Sequence, residues 1–285
     1  MLKILKSFRN NGFRITIARI WTEIFHPILP AFSLFETNLR GKNGIEVGGP
    51  SFLFSRNGFL PLYSIIANLD NVNFGHETIW EGRLTDGGTF QFDDNRSGKQ
   101  FVREASSLSG IPDHAYDFLI SSHMLEHCAN PIKALHEWKR VLKPHGWLVL
   151  VLPHKEGTFD RNRKTTELKH MIEDFENCVG EDDLTHAEEF IKDFDYAMHD
   201  KEDPETFRKD ILSNYDKRRI HHHVFTTPVA VQLVSYAGFQ IRSVHARLPG
   251  HIVILAEKTD AIDNALFLSL NAGWLQTSPF RSDRL

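Results

Sequence analysis

The chain is poor in cysteine: two residues among 285, Cys128 and Cys178, with no CxxC pair. That excludes a zinc ribbon and a disulfide framework, and makes a reducing cytoplasm the expected compartment. No apolar run approaches the roughly 18 residues that a membrane span needs. The N-terminus has no apolar core followed by a small-residue cleavage site, so no secretory leader is expected. Also missing are GxGxxG, HExxH or another metal signature, internal repeats and low-complexity tracts. Nor is there a large charge of one sign. A net charge of −4 creates no global field for nucleic acid or an anionic membrane. What is present is an ordinary globular composition, 41% apolar and 25% charged. The length suits one large domain with an insertion, or two small ones. Two residue types are plentiful, phenylalanine at 22 and histidine at 16.

The most regular stretch is Tyr116 to Pro153, a strand–helix–strand unit. Phe118–Ser121 is a short apolar run of the kind a buried parallel strand shows. A helix is predicted from Pro131, with Asn130 as N-cap and proline in the first helical position. Ile132, Leu135, Trp138, Val141 and Leu142 recur at helical spacing and form one face. Lys143 suits the negative helix end, Pro144 stops the helix and Gly146 allows the turn. Trp147–Leu152 then runs apolar without alternation, as a strand covered on both faces does. A crossover of this length makes the two strands parallel and right-handed.

Asp117, the apolar run after it, LEH at Leu125–His127 and RVLKPHG at Arg140–Gly146 resemble the second half of a class I S-adenosylmethionine-dependent methyltransferase, of the small-molecule type 11 kind. His145 stands where that family's turn usually has its first glycine. The resemblance implies a Rossmann-like α/β fold: a seven-stranded sheet, mostly parallel with the last strand antiparallel, here with a helical cap insertion. It also implies S-adenosyl-L-methionine as cofactor.

Upstream, GIEVGGPS at Gly44–Ser51 has the order strand, acid, glycine turn and resembles the family's first motif through Glu46, Gly48 and Gly49, with Pro50 following. Glycine is needed where backbone passes close to a ligand. Leu62–Leu69 is the next predicted strand, ending at Asp70. A carboxylate there can accept hydrogen bonds from ribose hydroxyls, and the alternative is a turn formed by Asp70 and Asn71. Phe101–Ala105 is a third short strand with Glu104 and Ala105 at its end, where the family usually carries Asp-Ala facing the adenine amino group. Ser121 and Ser122 bring backbone to the same sheet edge.

Between Lys155 and Ile220 the sheet pattern lapses. This stretch holds 19 acids against 12 bases, a net of −7. Helices are predicted over Glu167–Phe175, over Ala187–Phe194 with Thr185 as cap, and from Asp203-Pro204. Histidines gather around it: His154, His170, His186, His199, His221, His222 and His223. A metal that polarises a sugar diol, a polar pocket for a hydroxylated substrate, and a solvated acidic surface are the three readings. No metal ligand is assigned. His170, His221, His222 and His223 are assigned to the substrate side. His154, directly after the second strand at the binding edge, is the candidate general base, since methylation of an alcohol calls for one. His127 is read as structural.

The expected organisation is a basic amphipathic arm or lid over 1–40, a cofactor-binding core over 41–154, an acidic helical cap over 155–220, the end of the core over 221–258 and a tail over 259–285. Residues 1–22 contain no acid and carry Lys3, Lys6, Arg9, Arg14 and Arg19, which suits a lid or contact with an anionic membrane surface. Pro228–Tyr236, Phe239–Val244 and His251–Glu257 form a helix and two strands that resemble the end of the class I fold. The tail packs on the domain or mediates self-association. The expected activity is methyl transfer to a small or saccharide-like acceptor at oxygen. The alternatives are a catalytically inactive binding protein of the same fold and an RNA or protein methyltransferase. The acidic cap argues against RNA, because phosphate contacts need a basic surface, and a nicotinamide-dependent enzyme would call for GxGxxG.

Overall fold

The sheet is built around the strand–helix–strand unit that the sequence makes plainest. The computed structural model describes residues 16–18, 20–22, 25, 27–78, 82–196, 198 and 203–284. The five basic residues of the N-terminal arm and His199 lie outside the described residues. Strand β7 (Tyr116–Ser122) leads into helix α2 (Pro131–Val141) and on to β8 (Leu142–Pro153), which pairs parallel to β7. Asn130 caps α2 by accepting the Lys133 amide at 3.0 Å, and Pro131 occupies the first turn. Along β8, Leu148, Leu150 and Leu152 enter the core on one face of the sheet, and Val149 and Val151 the core on the other. The two-residue period of a strand thus explains the unbroken apolar run. Both faces are covered.

Around this pair lie β1 (Asn43–Val47), β2 (Asn68–Asn73), β3 (Glu77–Thr78), β4 (Gly82–Arg83), β5 (Thr89–Asp93), β6 (Arg96–Val102), β9 (Gln240–Arg247) and β10 (His251–Glu257). The large sheet has the order β5-β6-β2-β1-β7-β8-β10-β9, while β3 and β4 pair separately. β6, β2, β1, β7 and β8 are mutually parallel, and β10 runs antiparallel to both its neighbours. This is a Rossmann-like, mostly parallel sheet with eight strands in place of the expected seven. The eighth, β5, forms an antiparallel hairpin with β6. Phe90 and Phe92 alternate along it and point inward, both buried. Gly98 lets β6 close on β2, since a Cβ there would sit 1.7 Å from the Leu69 carbonyl oxygen.

Two strands lie elsewhere than the sequence predicts. β6 ends at Val102, so Glu104 and Ala105 follow the strand instead of closing it. Leu62–Ser64 is a single 3₁₀ turn, and β2 begins only at Asn68 and runs past Asp70 to Asn73. Leu62 and Tyr63 are buried under the sheet by that turn rather than by a strand.

Helix α1 (Phe32–Leu39) buries Phe35 and Leu39 in the same lower core. Helices α3 (Leu168–Glu176), α4 (Ala187–Asp193), α5 (Pro204–Leu212) and α6 (Asn214–Lys217) fall between β8 and the return to the sheet. Asp203 caps α5 through the Thr206 amide, as predicted, whereas His186 and not Thr185 precedes α4, with no side-chain cap. Phe190, Phe194, Phe207, Ile211 and Ile220 form a core of their own, separate from the two that cover the sheet. Helix α7 (Thr227–Tyr236) then packs on the upper face, and the chain ends in the short helices α8 (Ala265–Leu268) and α9 (Gly273–Thr277). Among the described residues, no helix is long and apolar enough to cross a membrane.

Candidate active site

At the carboxyl ends of β1, β2 and β7 the glycine turn is held by its own acid. Glu46 is fully buried and accepts the Ser51 amide at 3.1 Å and the Tyr63 hydroxyl at 2.7 Å. Asn71 clamps the other side, accepting the Gly49 amide and donating to the Gly49 carbonyl, each at 3.0 Å. Gly48 has φ +85°, a conformation that L side chains rarely adopt.

The turn forms one wall of a cleft of about 410 Å³, at the sheet edge where open α/β folds bind ligands. Gly48, Pro50, Glu104, Ala105 and Ser122, all anticipated from the sequence, line it. Asn73 and Phe74 at the end of β2, together with Met124, His127, Cys128, Glu181 and Arg218, line it as well. Arg218 donates to Glu104 at 2.6 Å and to Glu181 at 2.8 Å, and lies over the Phe74 ring at 5.0 Å. Burial pushes the Glu181 carboxyl above its usual value, and the Arg218 guanidinium opposes the shift.

Four anticipated residues do not line this cleft. Glu46 and Gly49 brace the turn from behind. Ser121 ties β7 to β1 through a hydrogen bond to the Val47 carbonyl at 2.9 Å. Asp70 lies inside β2, not at its end, and its carboxylate is engaged by the Lys99 amide at 2.8 Å and the Tyr116 hydroxyl at 2.7 Å. Burial and this hydrogen bond raise the Tyr116 pKa, which keeps its proton on the bond.

A second cleft, of about 270 Å³, adjoins the first, and His123 and His127 line both. Phe159, Phe190, Phe194 and Phe207 supply aromatic walls, and Glu126, Arg219 and His221 are its polar groups. Nδ1–H of His127 donates to the Ile220 carbonyl at 3.1 Å, which directs the other ring nitrogen toward Glu126, 4.0 Å away. Burial holds His127 and His123 well toward the neutral form, with His123 lowered to about 4. His221 pairs through Nδ1 with Asp160 at 2.5 Å, and Asp160 also takes Arg163 at 2.8 Å. Glu126 is 1% exposed, and neither of its carboxylate oxygens has a hydrogen-bond partner among the described residues. Burial pushes its pKa up to about 7, against the pull of His221.

His154 is the main correction. It is fully buried and touches neither cleft, because the C-terminal tail folds over it. Its Nε2 meets Asp283 at 3.0 Å and its ring stacks on Phe280 at 3.7 Å. Of the four histidines assigned to the substrate side, only His221 lines a cleft. His222 lies against Asn214 and Asp183, while His170 and His223 turn toward Asp174. Glu126, sitting between two residues of the LEH stretch, was missed, since nothing in the sequence separates it from a helix-capping acid.

Residues 89–150 match a family model described as a methyltransferase domain, a stretch that runs from β5 through most of β8. Similar solved structures include a SAM-dependent methyltransferase from Aquifex aeolicus, 15% identical with a TM-score of 0.44, covering 84% of this chain and 93% of that one. Another, from Methanosarcina mazei, is 17% identical with a TM-score of 0.45, over 83% of this chain and 100% of that one. A third is the 1,6-didemethyltoxoflavin-N1-methyltransferase of Burkholderia thailandensis, 14% identical with a TM-score of 0.45, over 91% and 89%. No curated protein matches the chain.

Proposed function

We propose that this chain is a class I S-adenosylmethionine-dependent methyltransferase that transfers its methyl group to a small hydroxylated acceptor, saccharide-like in polarity, at oxygen; the match of residues 89–150 to a methyltransferase-domain model supports the reading. The residues of the first cleft fit the cofactor. Its volume lies in the range that small-molecule sites occupy, a glycine turn brings bare backbone to one wall, and carboxylates stand at the far end. Gly48, Pro50, Glu104, Ala105 and Ser122 hold the cofactor, with Asn73 at the end of β2 taking the ribose position assigned to Asp70. The cofactor supplies a sulfonium-activated methyl group, so the protein's work is alignment and proton transfer.

The second cleft holds the acceptor. Glu126 receives the hydroxyl proton as the oxygen takes the methyl group, and His221, oriented by Asp160, faces the same space. His123 and His127 form the wall common to both sites, where methyl donor and acceptor meet. Residues 155–220 act as the cap that shapes this cleft. The observation that carries the reading is the Glu126 carboxylate, buried without a hydrogen-bond partner beside the histidines that border the cofactor cleft. A buried charge without a partner is costly, and a base poised near neutral pH is effective.

The same carboxylate among four phenylalanine rings also suits an ammonium group, which makes an amine acceptor the second reading. The test uses methyl-labelled cofactor against matched panels of hydroxylated and amino acceptors. Label entering the hydroxylated panel, lost in Glu126→Gln while cofactor affinity persists, supports oxygen transfer. Label confined to amines supports the second reading. Absence of cofactor binding by calorimetry would remove both.

A further inference from the structure

Away from both clefts, four side chains of the insertion and the irregular segment that follows it point their ligand atoms at one spot. His170 and Asp174 are four residues apart on α3, and so share one face. His186 immediately precedes α4, and His223 follows the insertion. Nε2 of His170 lies 3.0 Å from Nε2 of His186 and 3.5 Å from Oδ2 of Asp174, and Nε2 of His223 lies 3.0 Å from that same oxygen. All four ligand atoms fall within 4.8 Å of one another. A tetrahedral zinc ion with bonds of about 2.0–2.1 Å separates its ligand atoms by about 3.3 Å. The three short separations straddle that value.

We infer that His170, Asp174, His186 and His223 bind one divalent transition-metal ion, zinc by their chemistry, that fastens the insertion to the core. Three imidazoles and a carboxylate form a nitrogen-rich set of four ligands, which favours zinc over the oxygen-seeking magnesium and calcium. Four protein ligands leave no open position, so the ion is structural. Nδ1 of His186 faces Glu189 at 3.7 Å, the kind of outer carboxylate that orients a ligating imidazole.

The surroundings explain why such a fastening is useful. Helix α3 buries only Met171, and the stretch between α3 and α4 is acidic and lacks regular structure. Leu168, Ile172 and Phe175 pack half-buried against the core and anchor α3 itself, but the stretch 177–186 that leads to His186 has no buried apolar residue to hold it. The ion also reaches the acceptor cleft indirectly. The neighbouring His222 amide donates to the Glu126 carbonyl at 2.8 Å, so fixing His223 fixes the segment that presents His221 to Glu126.

The test is elemental analysis of the untagged chain purified without chelator. One zinc per chain is expected, falling to background in a His170→Ala, His186→Ala double variant. Full metal content in that variant overturns the inference, as does a wild-type chain that holds no metal after dialysis against zinc. A second arm needs no variant. Stripping wild-type protein with a chelator should lower its thermal midpoint, zinc should restore it, and cobalt should give the visible absorption of a tetrahedral site. A midpoint indifferent to both chelator and zinc overturns the inference.

Discussion

The two clefts share a wall at His123 and His127 yet are made in different ways. The first cleft, proposed for the cofactor, presents the backbone of a glycine turn at the ends of parallel strands, and that turn is held by Glu46 and Asn71. The second cleft, proposed for the acceptor, is assembled from the side chains of β8's exit, α4, α5 and residues 219–221. A backbone site is set by topology and tolerates change at many positions. A side-chain site depends on single groups, and here above all on Glu126.

The strongest test of that contrast is Glu126→Gln. It should lower kcat by about 10²- to 10⁴-fold, the usual worth of a positioned base, while cofactor affinity by calorimetry stays within about twofold. Rates that survive the substitution would shift the proton acceptor to His221. Next in size is His154→Ala, which leaves Asp283 as a buried carboxylate without its histidine. Removing this fully buried ring, stacked on Phe280, costs about 3–5 kcal/mol as other aromatic-to-alanine core changes do, a fall of roughly 10 °C in the thermal midpoint of a chain this long. Because His154 touches neither cleft, kcat measured well below that midpoint should be unchanged. A folded variant with collapsed kcat would restore His154 as the base.

Glu126 also gives the contrast a pH signature. Its folded pKa of about 7 exceeds the usual 4.5 because burial outweighs the attraction of His221; Asp160 adds to the rise. The unfolded chain therefore releases this proton first. Between pH 4.5 and 7 the folded state loses stability relative to the unfolded, and above pH 7 the loss is complete, at about 3 kcal/mol. Glu126→Gln should accordingly be more stable than wild type at pH 8 and nearly equal to it at pH 4.5, by denaturant titration. The wild-type kcat should rise with pH through about 7 as the carboxylate ionises.

The backbone site was largely legible because its signals are local. Asn130-Pro131 started a helix, the alternating faces of β8 came from an unbroken apolar run, and the Gly48 turn followed its strand directly. β5 is not predicted from the sequence although Thr89–Asp93 alternates, since five residues between two turn-rich stretches are too few to stand out as a strand. Asp70 was misjudged because Leu62–Leu69 is apolar enough for a strand but is buried as a 3₁₀ turn. His154 follows a strand at the binding edge, and only the tail's return with Phe280 and Asp283, about 130 residues later, takes it out of reach. Glu126 and its phenylalanine walls meet through a fold of the insertion that no periodicity encodes.

The smallest effect falls on the backbone side. Gly48→Ala places a side chain at φ +85°, with its Cβ 2.6 Å from Cγ of Met124. The neighbour is a flexible side chain that can turn aside, so the backbone term dominates, about 1–2 kcal/mol for a left-handed residue. Some of that strain should be relieved by displacing the turn from the cleft, at the cost of cofactor binding. Cofactor affinity should weaken about tenfold with kcat at saturation nearly unchanged, the opposite of the Glu126→Gln pattern. Equal loss in both parameters would mean that the glycine turn positions the methyl group as well as binding its carrier, and would blur the division between the two clefts.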